Sequence, residues 1–358
     1  MNENISWLNE TAKEWDQKSL LAAQAHQSQL TKPPGALGRL EDIATEFAAM
    51  QGVVKPELDN INICVFAGDH GVTAENISAF PQAVTAQMVE NFVHGGAAIS
   101  VLADQLNAQL VVVDVGVNAP ASLSEKVVNK RVVEGTANFA SQAALSEQEL
   151  SFALNVGYDM VEQAAKNNTQ LFIGGEMGIG NTTSATALAA AELDINVEQL
   201  VGPGTGLDAD GVAHKRVVIE KALQRHRDKT KDSLSRLQFF AGAEIAALVG
   251  AYVHCAQLGI PVLVDGYISS VAALYAQAIN PKINKWFLYA HQSIEPGHQH
   301  VLMALRARPL LDLEMRLGEG SGAAMAVSII KHAIALHNHM ATFEQAGVAE
   351  KNSEQETV

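Results

Sequence analysis

A glycine-rich segment, Gly174–Thr183, is the strongest candidate for a ligand-binding loop. It joins an apolar run to an alanine-rich stretch, so we expect a strand, a turn and a helix capped by Asn181 or Thr182. A helix start presents free backbone N–H groups and the positive end of the dipole, which suit a phosphate. The segment is neither a P-loop nor a Gly-x-Gly-x-x-Gly loop. A tight turn remains open as the alternative, but Glu176 favours a ligand site, because a carboxylate beside an anion needs a donor.

A second glycine cluster spans Val201–Asp208, and Lys215 follows about two helical turns later. Glycines such as Gly204 let the backbone approach a phosphate closely, and the lysine would supply the counter-charge. Taken alone, this pattern fits a flexible surface loop and a solvated lysine better than a binding site.

Glu319 lies among alternating glycines in the segment Arg316–Ala324. Flanking glycines expose the carboxylate and let a planar ligand close on it, as a general base requires. The alternative is an ordinary turn residue or an acidic residue in the first turn of a helix.

Metal and nucleophile chemistry find little support in the sequence. The two cysteines, Cys64 and Cys255, are too few for a disulfide framework or a cysteine zinc site. His337 and His339 are two residues apart in a helical stretch and would not share a face. A Gly-x-Ser-x-Gly elbow after a strand is also lacking. We therefore expect neither a metal nor another cofactor.

The composition indicates a globular protein with no polyanionic partner. The 358 residues are 48% apolar, and the net charge is −15 at pH 7. An acidic surface repels nucleic acids and anionic membranes, although a small phosphorylated ligand responds to its local site instead. The N-terminus shows no signal peptide, and Gly259 and Pro261 interrupt the apolar stretch Ile245–Val264, which we interpret as a buried helix and a strand. We expect a cytoplasmic protein without membrane segments.

Continuous apolar runs predict buried parallel strands. Helical stretches such as Ala83–Leu106, Glu147–Ala165, Ser184–Ala191 and Ala243–Gln257 lie between these runs, so the order predicts a Rossmann-like, doubly wound α/β sheet. The predicted strands are Asn62–Ala67, Leu110–Val115, Leu171–Gly174, Pro261–Val264 and Trp286–Tyr289.

Ligands of such sheets bind at the carboxyl ends of the strands. Small or polar residues follow four of the five runs. Asp69 and His70 follow the first, the loop with Glu176 follows the third, Asp265 follows the fourth, and His291–Glu295 follows the fifth. We expect the substrate site along this edge.

Only helical patterning is visible at the two ends of the chain. We predict a Rossmann-like domain over residues 60–300, a small helical domain from residues 1–59 and 301–345, and a flexible polar tail over residues 346–358.

Five motifs in order carry a resemblance to a known family. The chain resembles the nicotinate-nucleotide–dimethylbenzimidazole phosphoribosyltransferases, which build the lower-ligand nucleotide of cobalamin. The resemblance implies a Rossmann-like sheet, a small helical domain from both termini and a homodimer. It also implies that nicotinate mononucleotide and 5,6-dimethylbenzimidazole react to give α-ribazole 5′-phosphate and nicotinate. The motifs are Lys32–Glu41, Ala67–Val72, Gly175–Thr183, Pro261–Gly266 and Arg316–Ala324.

The family's motifs assign roles to residues of this sequence. Glu319 falls on the catalytic base, Glu176 on the base-and-ribose site, and Gly178–Thr183 with Lys215 on the phosphate contacts. Within that segment the matched positions are Gly178, Asn181, Thr182 and Thr183. Phe80 and Met88 fall on the wall of the aromatic pocket, and both are apolar where relatives can be polar.

Two other classes of function compete with this one. A nucleotide-binding regulatory protein would keep the pocket without chemistry, but it has no need of an exposed carboxylate at Glu319. A nicotinamide-dependent dehydrogenase requires the Rossmann glycine fingerprint, which this sequence lacks.

Overall fold

The computed structural model describes residues 3–119 and 122–349. In this part of the chain, six parallel strands form one sheet in the order β3-β2-β1-β4-β5-β6. That order is the one of doubly wound nucleotide-binding sheets, so the predicted Rossmann-like α/β fold is confirmed. The strands are β1 Ile61–Gly68, β2 Gln109–Gly116, β3 Val128–Asn129, β4 Leu171–Met177, β5 Val262–Val264 and β6 Phe287–Tyr289.

Each of the five predicted apolar runs forms a strand, and β3 is the strand that the sequence did not predict. It has two residues, which pair with Val113 and Asp114 of β2 at the edge of the sheet. A strand this short has no periodicity to detect. Arg131, two residues after β3, anchors this segment to β2, because its guanidinium forms an ion pair with Asp114 at 2.8 Å.

Helices cover the chain between and around the strands. The predicted stretch Ala83–Leu106 is two helices rather than one, because Gly95 adopts a φ of +83° between them. The helices are α1 Gln17–Gln29, α2 Arg39–Gln51, α3 Val84–Val93, α4 Ala98–Leu106, α5 Glu147–Lys166, α6 Asn181–Leu193, α7 Ala209–His226, α8 Ser233–Phe240, α9 Ala243–Leu258, α10 Tyr267–Ile279, α11 Pro296–Ala304, α12 Ser321–His339 and α13 Phe343–Ala346.

The central helix α9 is buried from Ala243 to Ala256. It packs closely on α5 because a side chain at Gly157 would overlap with the Ala247 carbonyl, and one at Gly250 would overlap with the Leu154 carbonyl. The apolar stretch Ile245–Val264 is thus a core helix followed by β5, as predicted. Among the described residues, we find no helix with the length and apolar character to span a membrane.

The chain divides into two compact units. The first contains residues 1–13 and 60–326 and carries the sheet, and the second contains residues 14–59 and 327–358 and is helical where it is described. The predicted boundaries differ at both ends. Residues 1–13 join the first unit, since Lys13 N–H donates to the Ala256 carbonyl and Asn280 Nδ2 donates to the Leu8 carbonyl.

Residues 301–326 also join the first unit, because the segment after α11 pairs with the chain beyond β6. Leu311 N–H donates to the Ala290 carbonyl, and Gln292 N–H donates to the Leu311 carbonyl. Of the predicted flexible tail, residues 350–358 lie outside the described residues.

Candidate active site

A cavity of about 560 Å³ opens in the first unit where β4 and β5 end. It brings both glycine clusters and two of the predicted carboxylates to one place. The predicted site residues that line it are Phe80, Glu176, Gly178, Asn181, Thr182, Gly204 and Asp265.

Glu176 is the penultimate residue of β4, and its side chain is buried at the base of this cavity. Its carboxylate accepts hydrogen bonds from the Asn181 amide and from the Glu319 backbone N–H. Burial raises the pKa of this carboxyl well above its ordinary value, and the nearby carboxylates of Glu244, Asp265 and Glu319 raise it further. A shift in this direction favours the neutral carboxyl, and a neutral carboxyl can donate a hydrogen bond to a ligand.

Glu319 lies in a loop with three successive positive φ angles: +86° at Gly318, +65° at Glu319 and +86° at Gly320. Close packing explains the glycines, since a Cβ at Gly318 would overlap with Glu176 Oε1. A non-glycine residue at positive φ is strained, and such strain is common at functional positions.

The Glu319 carboxyl is buried, and Oε2 has no hydrogen-bond partner in the described residues. Burial raises its pKa, the backbone N–H of Ile99 at the start of α4 lowers it, and the Asp265 charge raises it. Gly318 lines the cavity and Glu319 follows it immediately. A carboxylate that has one unpaired oxygen and a raised pKa is suited to abstract a proton.

Asp265 follows β5 and caps α12. Its Oδ1 accepts from Ala323 N–H at 2.7 Å, and its Oδ2 accepts from Gly320 N–H at 3.2 Å. His291 Nε2 lies 3.8 Å from Oδ1. The carboxylate therefore holds the loop that carries Glu319, in addition to lining the cavity.

The predicted cap of α6 is wrong. Gly180, at a φ of +100°, is the N-cap, and Asn181 is the first helical residue. The Asn181 side chain reaches Glu176 instead of the helix amides, and a Cβ at Gly180 would lie 3.1 Å from the Cβ of His70. Thr183 is fully buried in the same turn, with no partner for its hydroxyl in the described residues.

Lys215 extends from α7 into a buried position beside this helix start. Its ammonium donates to Thr182 Oγ1 at 2.9 Å and to the Gly202 carbonyl at 3.3 Å. A Cβ at Gly204 would lie 3.3 Å from the lysine Nζ. Burial lowers the pKa of Lys215 to about 8, against the opposite effect of Glu295. The lysine and the two glycine clusters thus form a cationic corner suited to a phosphate.

Asp69 and His70 are buried behind the cavity, and neither is among the residues that line it. Asp69 Oδ2 accepts from Asn118 N–H at 2.8 Å, and His70 Nε2 lies 2.6 Å from Glu244 Oε1. Both residues thus support the loops around the site, and a direct substrate contact stays a prediction.

The aromatic wall is only partly as predicted from the resemblance. Phe80 lines the cavity and is half exposed, whereas Met88 lies on α3, half-buried, and is not among the described residues that line it. Met177, the last residue of β4, lines the cavity and supplies a thioether that the sequence did not single out.

Two acidic residues near the site, Glu244 and Glu295, have no role assigned to them by the sequence motifs. Glu244 was hidden in the first turn of an apolar helix, where an acidic residue is common. Glu295 lines the cavity, and its place after β6 was the available signal. Across residues 3–119 and 122–349 we find no group of three or more histidine, cysteine or acidic side chains arranged for a metal ion.

Comparison with known proteins agrees with this geometry. Residues 12–348 match a family described as Phosphoribosyltransferase. The chain belongs to this phosphoribosyltransferase family.

Individual members of the family are similar over nearly their whole length. The chain is 53% identical over 348 residues to the nicotinate-nucleotide–dimethylbenzimidazole phosphoribosyltransferase of Pseudomonas aeruginosa strain UCBPP-PA14, covering 97% of this chain and 99% of that one. It is 54% identical to the protein of that name from Pseudomonas fluorescens strain SBW25, covering 96% and 98%.

A solved structure shares the fold of this phosphoribosyltransferase. The crystal structure of CobT from Thermus thermophilus superposes with a TM-score of 0.89 at 41% identity, covering 93% of this chain and all of that one. A second structure from that organism, named as the nicotinate-nucleotide–dimethylbenzimidazole enzyme, gives 0.88 at 40% identity and covers 94% of this chain and all of that one.

Proposed function

We propose that this phosphoribosyltransferase transfers the phosphoribosyl group of nicotinate mononucleotide to 5,6-dimethylbenzimidazole. The products are α-ribazole 5′-phosphate and nicotinate, as in assembly of the cobalamin nucleotide loop. Two observations carry the proposal. The Glu319 carboxyl, whose Oε2 has no partner in the described residues, directly follows Gly318 of the cavity lining, and the buried cation Lys215 donates to Thr182 of the same lining. The names of the relatives support the same substrates.

The phosphate is bound at the corner formed by α6, Gly204 and Lys215. The positive end of the α6 dipole and the ammonium attract the phosphate, and Thr182 orients the ammonium. When the 5′-phosphate is bound in this corner, the ribose lies near the end of β4, beside Glu176. Positioning of the nucleotide against the acceptor supplies much of the rate enhancement.

The chemistry at the ribose needs negative charge and one base. The glycosidic bond to nicotinate breaks, and its electron pair returns to the pyridine nitrogen. Positive charge that builds on the ribose is stabilised by the carboxylates around it. One nitrogen of the benzimidazole attacks the ribose carbon, and Glu319 removes the proton from the other nitrogen.

The raised pKa of Glu319 suits this task, because a base with a pKa closer to neutrality holds the proton better. The group must be ionised to act, so turnover falls as the pH drops through its pKa. A positioned general base contributes a factor of about 10² to 10⁴ in rate.

The direct test is to mix the purified protein with nicotinate mononucleotide and 5,6-dimethylbenzimidazole and to measure nicotinate release by chromatography. A dehydrogenase or a regulatory binding protein releases none. The Glu319→Gln variant keeps the size of the side chain and should lose at least about a hundredfold in kcat, with nucleotide binding retained. Glu314→Gln, an exposed carboxylate that lines the same cavity, is the control. Near-normal turnover in Glu319→Gln contradicts the assignment of the base.

We infer in addition that the enzyme is a homodimer. Large apolar side chains on the segments that border the cavity are exposed to solvent, and exposed apolar surface is typical of interfaces. They are Phe80, Ile294, Leu313 and Leu317. Sedimentation equilibrium tests this inference, and a monomer at micromolar concentration contradicts it.

The free, buried thiols of Cys64 and Cys255 support a reducing compartment such as the cytoplasm.

A further inference from the structure

Glu295 is a buried carboxyl inside the proposed phosphate corner. It immediately precedes α11 and lines the cavity. Its Oε1 accepts a hydrogen bond from Gly204 N–H at 3.1 Å, which ties it to the second glycine cluster. Its Oε2 has no hydrogen-bond partner in the described residues, and a Cβ at Gly202 would overlap with it.

The charges around Glu295 do not balance a phosphate dianion. Lys215, from α7, is the buried cation, and it donates to Thr182 and Gly202 rather than to the carboxylate. Arg316, from the segment before α12, also faces Glu295 but is exposed to solvent, which screens its charge. Tyr267, from α10, adds a neutral hydroxyl. An ionised Glu295 would therefore cancel the charge of Lys215 as the phosphate arrives.

We propose that Glu295 takes up a proton when the nucleotide phosphate binds, and that the neutral carboxyl then donates a hydrogen bond to a phosphate oxygen. The proton comes from solution, and Gly204 N–H remains bonded to the other carboxyl oxygen. Phosphate recognition would thus combine one buried cation with one protonated acid. This inference rests on the proposed function, because it concerns the nucleotide at the same site.

The surroundings of Glu295 in the free protein are consistent with uptake of a proton on phosphate binding. Burial raises the pKa of Glu295, whereas Lys215, the Gly204 N–H and Arg316 lower it. A bound phosphate adds negative charge next to the carboxyl and raises the pKa further. Since the pKa is higher in the complex, affinity is greatest below the pKa of the free protein. It falls as the pH rises toward the pKa of the complex.

The test is calorimetric titration of the full-length protein with nicotinate mononucleotide between pH 6.5 and 8, in two buffers that differ in ionisation enthalpy. We expect proton uptake in this range and a Kd that rises by up to about tenfold per pH unit, the limit for one linked proton. In Glu295→Gln the Kd should vary by less than about twofold over this range, since Lys215 loses its proton only around pH 8. Nicotinate riboside, which has no phosphate, should show no slope with either protein.

Glu314→Gln is the matched control, because it removes one exposed negative charge from the same cavity and should keep the wild-type slope. Equal slopes in the wild type and Glu295→Gln overturn the proposal. If Glu295→Gln does not fold, the wild type decides alone, and no proton uptake between pH 6.5 and 7.5 overturns it. Failure of the wild type to bind the mononucleotide at every pH overturns the proposed function together with this inference.

Discussion

Replacing Asp265 by asparagine should displace the catalytic base, Glu319, without removing it. The carboxylate accepts N–H groups from Gly320 and Ala323 at the start of α12, and Glu319 precedes this start by two residues. Asparagine keeps one acceptor oxygen and turns an NH₂ group toward the other amide. We therefore expect the loop around Glu319 to loosen while the side chain of Glu319 stays intact.

The magnitude follows from the bonds that are lost. A hydrogen bond to a charged group contributes about 1.5–3 kcal/mol, and a negative charge at a helix N-terminus contributes about 0.3–1 kcal/mol. Removing a buried charge offsets part of this loss. We expect the unfolding free energy to fall by about 1.5–3 kcal/mol, or roughly 3–6 °C in Tm at about 2 °C per kcal/mol for a domain of this size. The kcat should fall at least about tenfold, since misplacing a reacting group by about 1 Å can lower the rate by about a hundredfold.

The pH profile separates position from charge. The Asp265 carboxylate raises the pKa of Glu319, so its removal should lower that pKa and move the acidic limb of kcat to lower pH. Calorimetry and a profile from pH 5 to 9 measure both effects. Asp232→Asn is the control, because Asp232 caps α8 by accepting from Ser235 N–H and is exposed. Normal kcat together with an unmoved acidic limb in Asp265→Asn would refute the role of this cap.

Three further predictions concern the phosphate contact, the effect of metal removal and the choice of acceptor. Lys215→Ala should raise the Kd for nicotinate mononucleotide by about 10- to 150-fold, the equivalent of about 1.5–3 kcal/mol, with little change for the riboside; an equal loss for both ligands in a binding titration would place the lysine elsewhere. Dialysis against EDTA should leave turnover unchanged, since nicotinate leaves as a neutral-ring pyridine that needs no Lewis acid; restoration of lost activity by Mg²⁺ or Zn²⁺ would contradict this. In a competition of acceptors, 5,6-dimethylbenzimidazole should be preferred over benzimidazole by roughly tenfold in kcat/KM, because each methyl buried against Phe80 and Met177 contributes about 0.8 kcal/mol. Hydroxylated benzimidazoles should be used less well, and their dominance among the nucleotide products would place the acceptor elsewhere.

The sheet and its loops were predictable because their signals are local. A strand buried on both faces is a continuous apolar run, and all eight residues of β1 are buried. Glycines around Glu319 indicate backbone conformations that other residues rarely adopt, and all three φ angles from Gly318 to Gly320 are positive. The family motifs are also continuous segments of sequence.

The details of the site were not predictable, because they depend on segments far apart in the chain. His70 and Glu244 are 174 positions apart, and Gly204 and Glu295 are 91 apart, yet each pair forms a hydrogen bond. Whether an acidic residue is a solvated surface charge or a buried carboxyl with a raised pKa is set by what packs around it. Asp265 likewise gains its partners from α12 only in the folded chain.

The sequence by itself determined five of the six strands and their alternation with helices, the two glycine clusters and the residue types available for acid–base and phosphate chemistry. Tertiary structure alone decided that Gly180 rather than Asn181 caps α6, that Asp69 and His70 stand behind the cavity, and that Lys215 is buried beside it. The physical reason is the separation along the chain of the residues that determine each property. Backbone conformation and hydrophobic periodicity are properties of neighbouring residues, whereas burial and electrostatic environment arise from the packing of the whole unit.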